Sequence, residues 1–330
     1  MFLSRRQFVR RSTHYALATG ALAASVGDAF SQDSKAMQIV DTHQHLWDLS
    51  KLRLHWLAGA PEVLKHTFRN EEYAQATPGL NIKAVYMEVD VAVEQHVDEA
   101  DYVTGLCREG RHATIAAVIG GRPAAAGFAD YLKRFKGNVH IKGVRQVLHS
   151  DEAKPGYCLQ DDFVRGVRLL GENGLSFDLC LRPTELTDGI KLTELCPETR
   201  FILDHCGNAD PKAFRASASG DEKPSHTALA WKADMTRFAK RPNVICKISG
   251  IVARAPKRWT ADDLAPIVEH CLNSFGPDRV VFGGDWPVCL LGSSLTGWIE
   301  ALRQIVSSRS PAEQRKLWSE NAVRLYGLKV

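Results

Sequence analysis

The sequence predicts a single TIM-type (β/α)8 barrel whose active site lies at the carboxyl ends of the strands. Eight short runs rich in apolar and β-branched residues recur over residues 37–330. Most of these runs are almost continuously apolar, as in parallel strands that are covered on both faces. Helix-like segments separate them. Eight strands that alternate with helices over roughly 290 residues are typical of this barrel.

The predicted strands share an apolar body and a polar or glycine-containing end. They comprise residues 37–46, 82–90, 113–121, 139–148, 175–183, 200–207, 243–250 and 279–287. Segments such as 162–174 and 262–276 are interpreted as helices, because each ends in glycine just before the next strand. A doubly wound sheet is the alternative fold. It usually carries a glycine-rich phosphate loop after its first strand, and this sequence has none there.

The charge of the chain is concentrated at its N-terminus. The 330 residues carry a formal charge of +4, with 45% hydrophobic and 24% charged residues. Residues 1–36 contain five basic and two acidic residues, a net charge of +3, so the remainder carries +1. Such a nearly neutral body gives no electrostatic reason to expect binding to nucleic acid or to an anionic membrane.

The N-terminal excess of charge has its own explanation. The stretch SRRQFVR (Ser4–Arg10) precedes an apolar YALATGALAASVG segment and small residues near Ser31. This pattern resembles a twin-arginine export signal, with cleavage at Ser31 or a few residues later. We therefore expect residues 1–36 to be a signal and linker, recognised by the twin-arginine machinery and followed by a periplasmic barrel. The apolar run is too short and too rich in Gly and Ala for a stable membrane span.

Eight cysteines would suggest disulfides in an exported protein, but their pattern does not. No Cys-x-x-Cys pair occurs, and Cys180, Cys206 and Cys246 lie in strand-like apolar runs. The twin-arginine route carries proteins that fold in the cytoplasm, where thiols stay reduced. We expect buried thiols and few or no disulfides.

The first strand carries polar residues at alternate positions. In IVDTHQHLWD the side chains of Asp41, His43 and His45 fall on one parity, which predicts a polar stripe that points into the barrel mouth. The other strand ends supply matching groups: Glu88, Asp90, Arg145, His149, Asp178, Arg182, Asp204, His205, Lys247, Asp285 and Trp286. Residues 47–81, with Trp47 and Trp56, and residues 208–226 are long enough to act as lids.

These motifs, in barrel order, resemble the amidohydrolase superfamily. The similarity rests on His43-Gln44-His45, His205 and Asp285, and on the phrases KGVRQVLHSD, FDLCLRP, FILDHCG, NVICKISG and FGGDWPVCLL. It is sharpest with the branch that contains sugar lactonases and 2-pyrone-4,6-dicarboxylate hydrolase, and it spans about Ile39 to Tyr326. The resemblance implies a barrel hydrolase.

Two departures limit what the resemblance implies. Many amidohydrolases hold two metals with a lysine after strand four and a histidine after strand five. Here strand five has no histidine, and Lys142 has the opposite parity to Arg145. We therefore expect at most one divalent ion, zinc being the first choice, on His43, His45 and Asp285, or metal-independent chemistry. The branch also often has Lys-Pro after the sixth-strand histidine, where this chain has Cys206-Gly207.

The site residues are given the following roles. Asp285 is the expected general base that activates water and later returns a proton to the leaving alcohol. His43, His45 and His205 would polarise the carbonyl, directly or through one ion. The expected substrate-binding residues are Arg145, Lys247, Glu88, Trp286 and Asp178. For Arg145 and Lys247 the sequence leaves open whether they contact substrate or form ion pairs inside the barrel.

The expected function is an exported hydrolase that opens a small lactone, either a sugar-acid lactone or a carboxylated cyclic ester. One alternative is a decarboxylase of a small carboxylic acid, which would use similar groups to stabilise a carbanion. Another is a non-catalytic barrel that binds a sugar acid. A binding protein has no need of a general base beside a histidine cluster, so Asp285 argues against the last.

Overall fold

Eight parallel strands follow one another in chain order in the computed structural model, which describes residues 37–215 and 223–330. Strands β1 to β8 comprise Ile39–Gln44, Ile82–Met87, Thr114–Gly120, Ile141–Val147, Ser176–Cys180, Arg200–Leu203, Val244–Ile248 and Val280–Phe282. Each strand pairs with its neighbour in sequence and lies within a predicted run. The predicted (β/α)8 barrel is confirmed.

Backbone hydrogen bonds join β1 to the segment that follows β8. The amide of Asp285 donates to the carbonyl oxygen of His43 at 2.8 Å, and the amide of His45 donates to that of Trp286 at 2.8 Å. The hydroxyl of Thr42 adds a bond to the carbonyl of Phe282 at 2.7 Å. These bonds close the barrel where the two predicted catalytic motifs meet.

Helices connect the strands and cover the sheet. We label them α1 to α10: Asn70–Ala76, His96–Glu109, Phe128–Arg134, Asp161–Glu172, Leu186–Leu195, Ala228–Ala239, Ala261–Phe275, Leu295–Ile305, Pro311–Arg315 and Asn321–Tyr326. Short 3-10 turns occupy His55–Gly59, Glu62–Leu64, Val93–Gln95, Tyr157–Leu159, Pro183–Glu185, Pro211–Phe214, Val252–Arg254 and Val288–Leu291, and Lys316–Glu320 is a π-helix.

The helix ends follow from local sequence signals. Thr260 and Asp263 form a reciprocal capping box at the start of α7, and Gly276 ends that helix. The hydroxyl of Ser294 accepts a hydrogen bond from the amide of Gly297 at the start of α8. The helices predicted over 162–174 and 262–276 are found as α4 and α7, within two residues at each end.

The barrel interior changes from apolar to polar along the strands. Buried Val40, Val85, Val118, Ile202 and Ile245 belong to a core cluster that includes Tyr326 and Leu328 from the C-terminal segment. Two residues beyond Ile202 and Ile245, the buried side chains are those of Asp204, directly after β6, and Lys247, within β7. The apolar layer therefore supports the polar groups that lie at the carboxyl ends of the strands.

The polar stripe predicted for β1 is only partly correct. The register of β1 against β2 is irregular between Asp41 and Gln44. Asp41 contacts the hydroxyl of Tyr73 at 2.8 Å and the amide of Gly284 at 2.6 Å, whereas His43 turns towards the barrel interior. Strict alternation would have placed Asp41 and His43 on one face, but the bulge shifts the parity between them.

Some expectations concern features away from the barrel. The predicted export signal, residues 1–36, lies outside the described residues. Among the described residues, none of the helices combines the length and the apolar character needed to cross a bilayer. All eight cysteines are buried, with free thiols.

Candidate active site

A cavity of about 380 Å³ opens at the carboxyl ends of the strands. His45, Arg145, His205 and Asp285 line its polar part, and Trp47 and Trp56 line its apolar part. A larger cavity of about 800 Å³ opens near the start of β4 and the C-terminal residues, and none of the predicted catalytic residues lines it. We assign the site to the smaller cavity, because titratable groups converge there.

Two of the predicted catalytic residues, His45 and Asp285, lie close together in the cavity. The Nε2 atom of His45 lies 3.5 Å from Oδ1 of Asp285. Its Nδ1 atom is 2.9 Å from the carbonyl oxygen of Met87, which can only accept, so Nδ1 carries the proton of the neutral ring. The lone pair of Nε2 then faces a carboxylate oxygen. A cation placed between these two atoms would satisfy both.

His43 connects Asp285 to a deeper network. Its Nε2 atom is 3.7 Å from Oδ1 of Asp285, and its Nδ1 atom is 3.2 Å from Nζ of Lys247 and 3.5 Å from Oδ1 of Asp204. Burial, reinforced by the positive charge of Lys247, lowers the pKa of His43 well below its ordinary value. His43 is therefore a neutral imidazole at neutral pH.

His205 is held in a segment with an unusual backbone. Residues 205–208 all have positive φ, between 52° and 65°, which is costly for three non-glycine residues and is typical of functional sites. Nδ1 of His205 is 3.0 Å from the hydroxyl of Ser249, and its ring centre is 4.4 Å from that of His43. Burial lowers the pKa of His205 below its ordinary value.

Gly250 makes room for His205, a role that the sequence did not reveal. A Cβ atom on Gly250 would lie 2.2 Å from Nδ1 of His205, and its φ of 69° also disfavours a side chain. Gly283 and Gly284 leave space in the same way for His43, Ser249 and Asp41, whose atoms would lie 2.4–2.9 Å from a Cβ atom added at these glycines.

Arg145 and Lys247 form ion pairs inside the barrel. Nε of Arg145 is 2.6 Å from Oε1 of Glu88, and Nη1 of Arg145 is 3.6 Å from Oδ2 of Asp204. Nζ of Lys247 is 2.8 Å from Asp178 and 2.9 Å from Asp204. Of these five residues, only Arg145 also lines the cavity. The geometry thus makes Lys247, Glu88 and Asp178 supports beneath the cavity rather than substrate contacts.

The buried network favours the charged forms of Asp204, Lys247 and Glu88, whereas burial raises the pKa of Asp178 to about 6. Burial opposes ionisation of Asp204, but Lys247 and His43 outweigh it and lower its pKa well below the ordinary value. Burial likewise opposes the charge on Lys247, yet Asp178 and Asp204 raise its pKa. For Glu88 the charge of Arg145 overcomes burial and lowers the pKa. Fixed charges of this kind cost little reorganisation during a reaction.

The donor set fits one divalent cation. Four carboxylates (Glu88, Asp178, Asp204 and Asp285) and the cationic side chains of Arg145 and Lys247 surround this centre. Ligand atoms of His43, His45 and Asp285 lie within 4.8 Å of one another. Two imidazoles and a carboxylate suit zinc or a similar ion, and the bond from His45 to a backbone carbonyl is the usual support of a histidine ligand.

Among the described residues, a second group of candidate ligands, His43, Asp204 and His205, lies beside the first. It shares His43 with the first group, so the two groups do not make two independent metal sites. Strand β5 places Asp178 and Cys180 in the barrel, and Lys142 donates to the carbonyl oxygen of Gly327 at 3.1 Å, away from the cavity. This placement agrees with the parity of Lys142 in the sequence.

The expected contact between Trp286 and substrate does not match the geometry. Trp286 is 2% exposed and packs edge-on against Phe68 and Tyr73, with ring centres 5.2 Å and 5.4 Å away. The tryptophans that line the cavity are Trp47 and Trp56, as the segment after β1 brings them over the mouth. Burial of a large aromatic ring favoured packing over exposure at position 286.

Further cavity residues received no role from the sequence. His149 follows β4 and contacts the thiol of Cys180 at 3.3 Å, and burial lowers its pKa to about 4. Arg254 donates to the side-chain oxygen of Asn208 at 3.0 Å. His149 and Arg254 lie in segments that the closed barrel brings to the same cavity, so their spacing along the chain could not predict that they meet there.

Comparison with known proteins places these features in a family. Residues 40–328 match the family described as amidohydrolase. The chain is 31% identical to an L-fucono-1,5-lactonase of Burkholderia multivorans over 88% of this chain and 96% of that protein. It is 24% identical to an L-rhamnono-gamma-lactonase of Scheffersomyces stipitis, over 88% and 99% of the two chains.

A solved structure shows the same architecture. An amidohydrolase from Burkholderia multivorans with bound zinc aligns with a TM-score of 0.75 and 27% identity, over 88% of this chain and all of that one. The bound zinc of that structure and the donor set found here both favour a divalent metal. The matched profile, the relatives and the histidine–aspartate centre show that this chain belongs to the amidohydrolase family of hydrolases.

Proposed function

We propose that this protein hydrolyses the ester bond of a sugar-acid lactone. The observation that carries the proposal is the position of Asp285, whose carboxylate lines the cavity within 4 Å of Nε2 of both His43 and His45. The lactonase names of two relatives support the substrate class. A protein that only bound a sugar acid would not need a carboxylate base beside two imidazoles.

Asp285 is assigned as the general base. Its φ of 55° and the bond from its amide to the carbonyl of His43 aim the side chain at the cavity rather than at the turn. There it takes a proton from the attacking water, and it returns that proton to the alcohol oxygen when the ring opens. One residue can serve both steps because the water and the leaving oxygen bond to the same carbon.

His205 and Arg145 are assigned to the carbonyl oxygen, where negative charge develops. Since Nδ1 of His205 is held by Ser249, its Nε2 atom is the nitrogen available to substrate. Arg145 is fixed by Glu88, so it presents a charge that does not need to reorient. Preorganised donors of this kind stabilise an oxyanion more than mobile ones do.

His43, His45 and Asp285 would hold a divalent ion, with zinc as the proposed metal. When bound, such an ion supplies Lewis acidity and lowers the pKa of a water ligand. The side chains present are sufficient to orient water and substrate around it.

The cavity suits a monosaccharide-sized ligand. Its volume of about 380 Å³ lies in the lower part of the range for small-molecule sites. Trp47 and Trp56 provide an apolar wall for a ring face. Asp90, Arg254 and Asn208 also line the cavity and provide polar groups for hydroxyls. The small net charge of residues 37–330 gives no electrostatic reason to expect nucleic acid, so the proposed partner is a small molecule.

A substrate screen tests this function. The purified protein would be offered hexono-1,5-lactones, hexono-1,4-lactones, an aromatic lactone and aromatic carboxylic acids, with and without added Zn²⁺. Acid release reports lactone opening, and CO₂ release reports decarboxylation. We expect acid release with aldonolactones. Carbon dioxide release without lactone opening would favour the decarboxylase, and binding without turnover would favour the non-catalytic barrel.

We also propose that residues 1–36 direct export of the folded protein to the periplasm by the twin-arginine machinery. The support is the SRRQFVR stretch and the apolar segment that follows it. Replacing Arg5 and Arg6 with Lys should leave the full-length precursor in the cytoplasm. Unchanged processing and export of this variant would refute the proposal.

A further inference from the structure

Three buried thiols meet behind the wall of the barrel. The Sγ atoms of Cys206, Cys246 and Cys271 lie within 4.8 Å of one another, and all three side chains are fully buried. We call this group the trithiol cluster. It is separate from the His43, His45 and Asp285 set, with which it shares no residue.

Three different elements converge on this point. Cys246 lies on β7 between Ile245 and Lys247, which face the barrel interior, so its side chain faces the opposite side. Cys271 comes from α7, the helix that packs on this strand. Cys206 comes from the left-handed segment after β6, and its Sγ atom is 3.8 Å from the carbonyl oxygen of Lys247.

The sulfur atoms, all within 4.8 Å of one another, are close enough to become ligands of one ion after small shifts. With metal–sulfur bonds of about 2.3 Å, three thiolates in a trigonal arrangement have sulfur atoms about 4 Å apart. Neutral thiols are weak hydrogen-bond donors, so three of them in a dry pocket gain little from one another. Replacing their protons by a cation would give each sulfur a strong ligand bond.

We propose that the trithiol cluster binds one thiophilic metal ion, in addition to any ion in the catalytic cavity. Binding releases the protons of the coordinating thiols to solvent, and no electron transfer is involved. Soft thiolate donors select Cu⁺ or Zn²⁺ over hard cations. Cu⁺ commonly binds three thiolates, which matches the number of donors here. Zn²⁺ would leave less negative charge buried at the site. Both ions are thiophilic and have a closed electron shell.

Such an ion would link residues 205–208, which have positive φ, to strand β7 and helix α7. Cys206 directly follows His205, and four consecutive residues there have positive φ. The contacts that hold this segment include a hydrogen bond from the indole of Trp231 to the carbonyl oxygen of Cys206, at 2.8 Å. A metal bound to Cys206, Cys246 and Cys271 would add a link to β7 and α7. The loaded form should therefore unfold at a higher temperature.

Spectroscopy on the full-length protein tests the proposal. Because the cluster is buried, the ion is supplied during expression, as Cu⁺ in one arm and as Cd²⁺, a spectroscopic substitute for zinc, in the other. We expect one of the two ions to give thiolate-to-metal charge-transfer absorption at one equivalent per chain. X-ray absorption at that metal should count three sulfur ligands. An ion bound to His43, His45 and Asp285 has no sulfur ligand, so it contributes no thiolate-to-metal charge-transfer absorption.

Matched variants identify the thiols. Cys246→Ala and Cys271→Ala should each abolish the charge-transfer band, whereas Cys107→Ala, which removes another buried thiol, should retain it. Absence of the band from the wild-type protein in both arms would overturn the proposal, whether or not the variants fold. So would a band that survives both cluster substitutions, since other thiols would then be its source.

Discussion

Nε2 of His45 and Oδ1 of Asp285 face each other at 3.5 Å across the floor of the cavity. The two residues are 240 positions apart in the sequence, and the hydrogen bonds between β1 and the segment after β8 bring them together. Because the proton of His45 is committed to the carbonyl of Met87, the pair presents two electron-rich atoms to one small volume. This arrangement is suited to a cation and to a water molecule that is about to lose a proton.

Replacement of Asp285 by Asn tests the general base. The amide keeps the shape of the side chain but cannot accept the proton of water, so lactone hydrolysis should fall by roughly 10²–10⁴-fold. Substrate affinity, measured by calorimetry with the intact lactone, should change far less. A folded variant with near-normal hydrolysis would remove Asp285 from the chemistry.

Metal content should depend on His45. We expect no more than one divalent ion in the catalytic cavity, and the His45→Asn variant should lose it because one of three ligands is gone. Elemental analysis after dialysis gives the number of ions per chain. The thiolate charge-transfer absorption shows how many of these ions are bound to the trithiol cluster rather than in the catalytic cavity. Two ions per chain that both disappear in His45→Asn would contradict a mononuclear centre.

Gly250→Ala should impair catalysis through His205. The new Cβ atom would lie 2.2 Å from Nδ1 of His205, so the ring must move, and a displacement of about 1 Å can cost 10²-fold in rate. Gly110→Ala is the matched control, because its φ of 68° resembles the 69° of Gly250 while no atom lies within 4 Å of its Cβ position.

Both glycine variants should lose roughly 1 kcal/mol of stability from the left-handed backbone. Only Gly250→Ala should lose most of its kcat. If both variants keep full activity, or both lose it equally, the space left for His205 is not what the glycine provides.

Lys247→Met should destabilise the fold strongly. It leaves Asp178 and Asp204 buried without their cation, and breaking a buried ion pair in this way costs about 3–5 kcal/mol. Adding Asp178→Asn should restore part of the loss, since it removes one uncompensated charge. Urea unfolding measures both variants. An effect below about 1 kcal/mol, with a large rise in KM instead, would make Lys247 a substrate contact after all.

Glu99 makes the stability depend on pH. Burial and the nearby charge of Glu88 raise the pKa of Glu99 to about 8. In the unfolded chain its pKa is about 4.3, so between these values only the unfolded state releases the proton. The contribution of Glu99 to the free energy of unfolding therefore falls as the pH rises from about 4 to 8, and at pH 7 the loss is about 4 kcal/mol.

Glu99→Gln removes this dependence while keeping an oxygen for the hydroxyl of Tyr86 and the amide of Val89. The variant should gain stability relative to the wild type, and the gain should grow between about pH 5 and pH 8. Denaturant unfolding at the two pH values measures it. Equal differences at both values would show that Glu99 is ionised in the folded protein.

The sequence by itself determined the barrel and the face at which the candidate catalytic groups gather. Apolar runs, helix caps and terminal glycines are local signals, and each strand of a (β/α)8 barrel is specified by residues close to it in the chain. The general rule that strand ends meet at one face then placed His43, His45, His205 and Asp285 together. Their mutual distances of a few ångströms agree with that rule.

Tertiary structure alone decided what each polar group contacts. Lys247, Glu88 and Asp178 have the parity of cavity residues, yet their depth along the strands pairs them with Asp204 and Arg145. Depth depends on the register between strands, which long-range packing sets and no short motif encodes. The shift of Asp41 by a bulge has the same origin, because one extra residue reverses every later side chain.

The trithiol cluster and the space at Gly250 also belong to the tertiary structure. Cys206, Cys246 and Cys271 come from three elements spread over the second half of the chain, and nothing in their spacing pairs them. Gly250 matters because His205 occupies the volume that its side chain would need. The sequence determines which residues are inside through local periodicity. The contacts between these buried residues are decided only when the barrel closes, because close packing then permits one arrangement of their side chains.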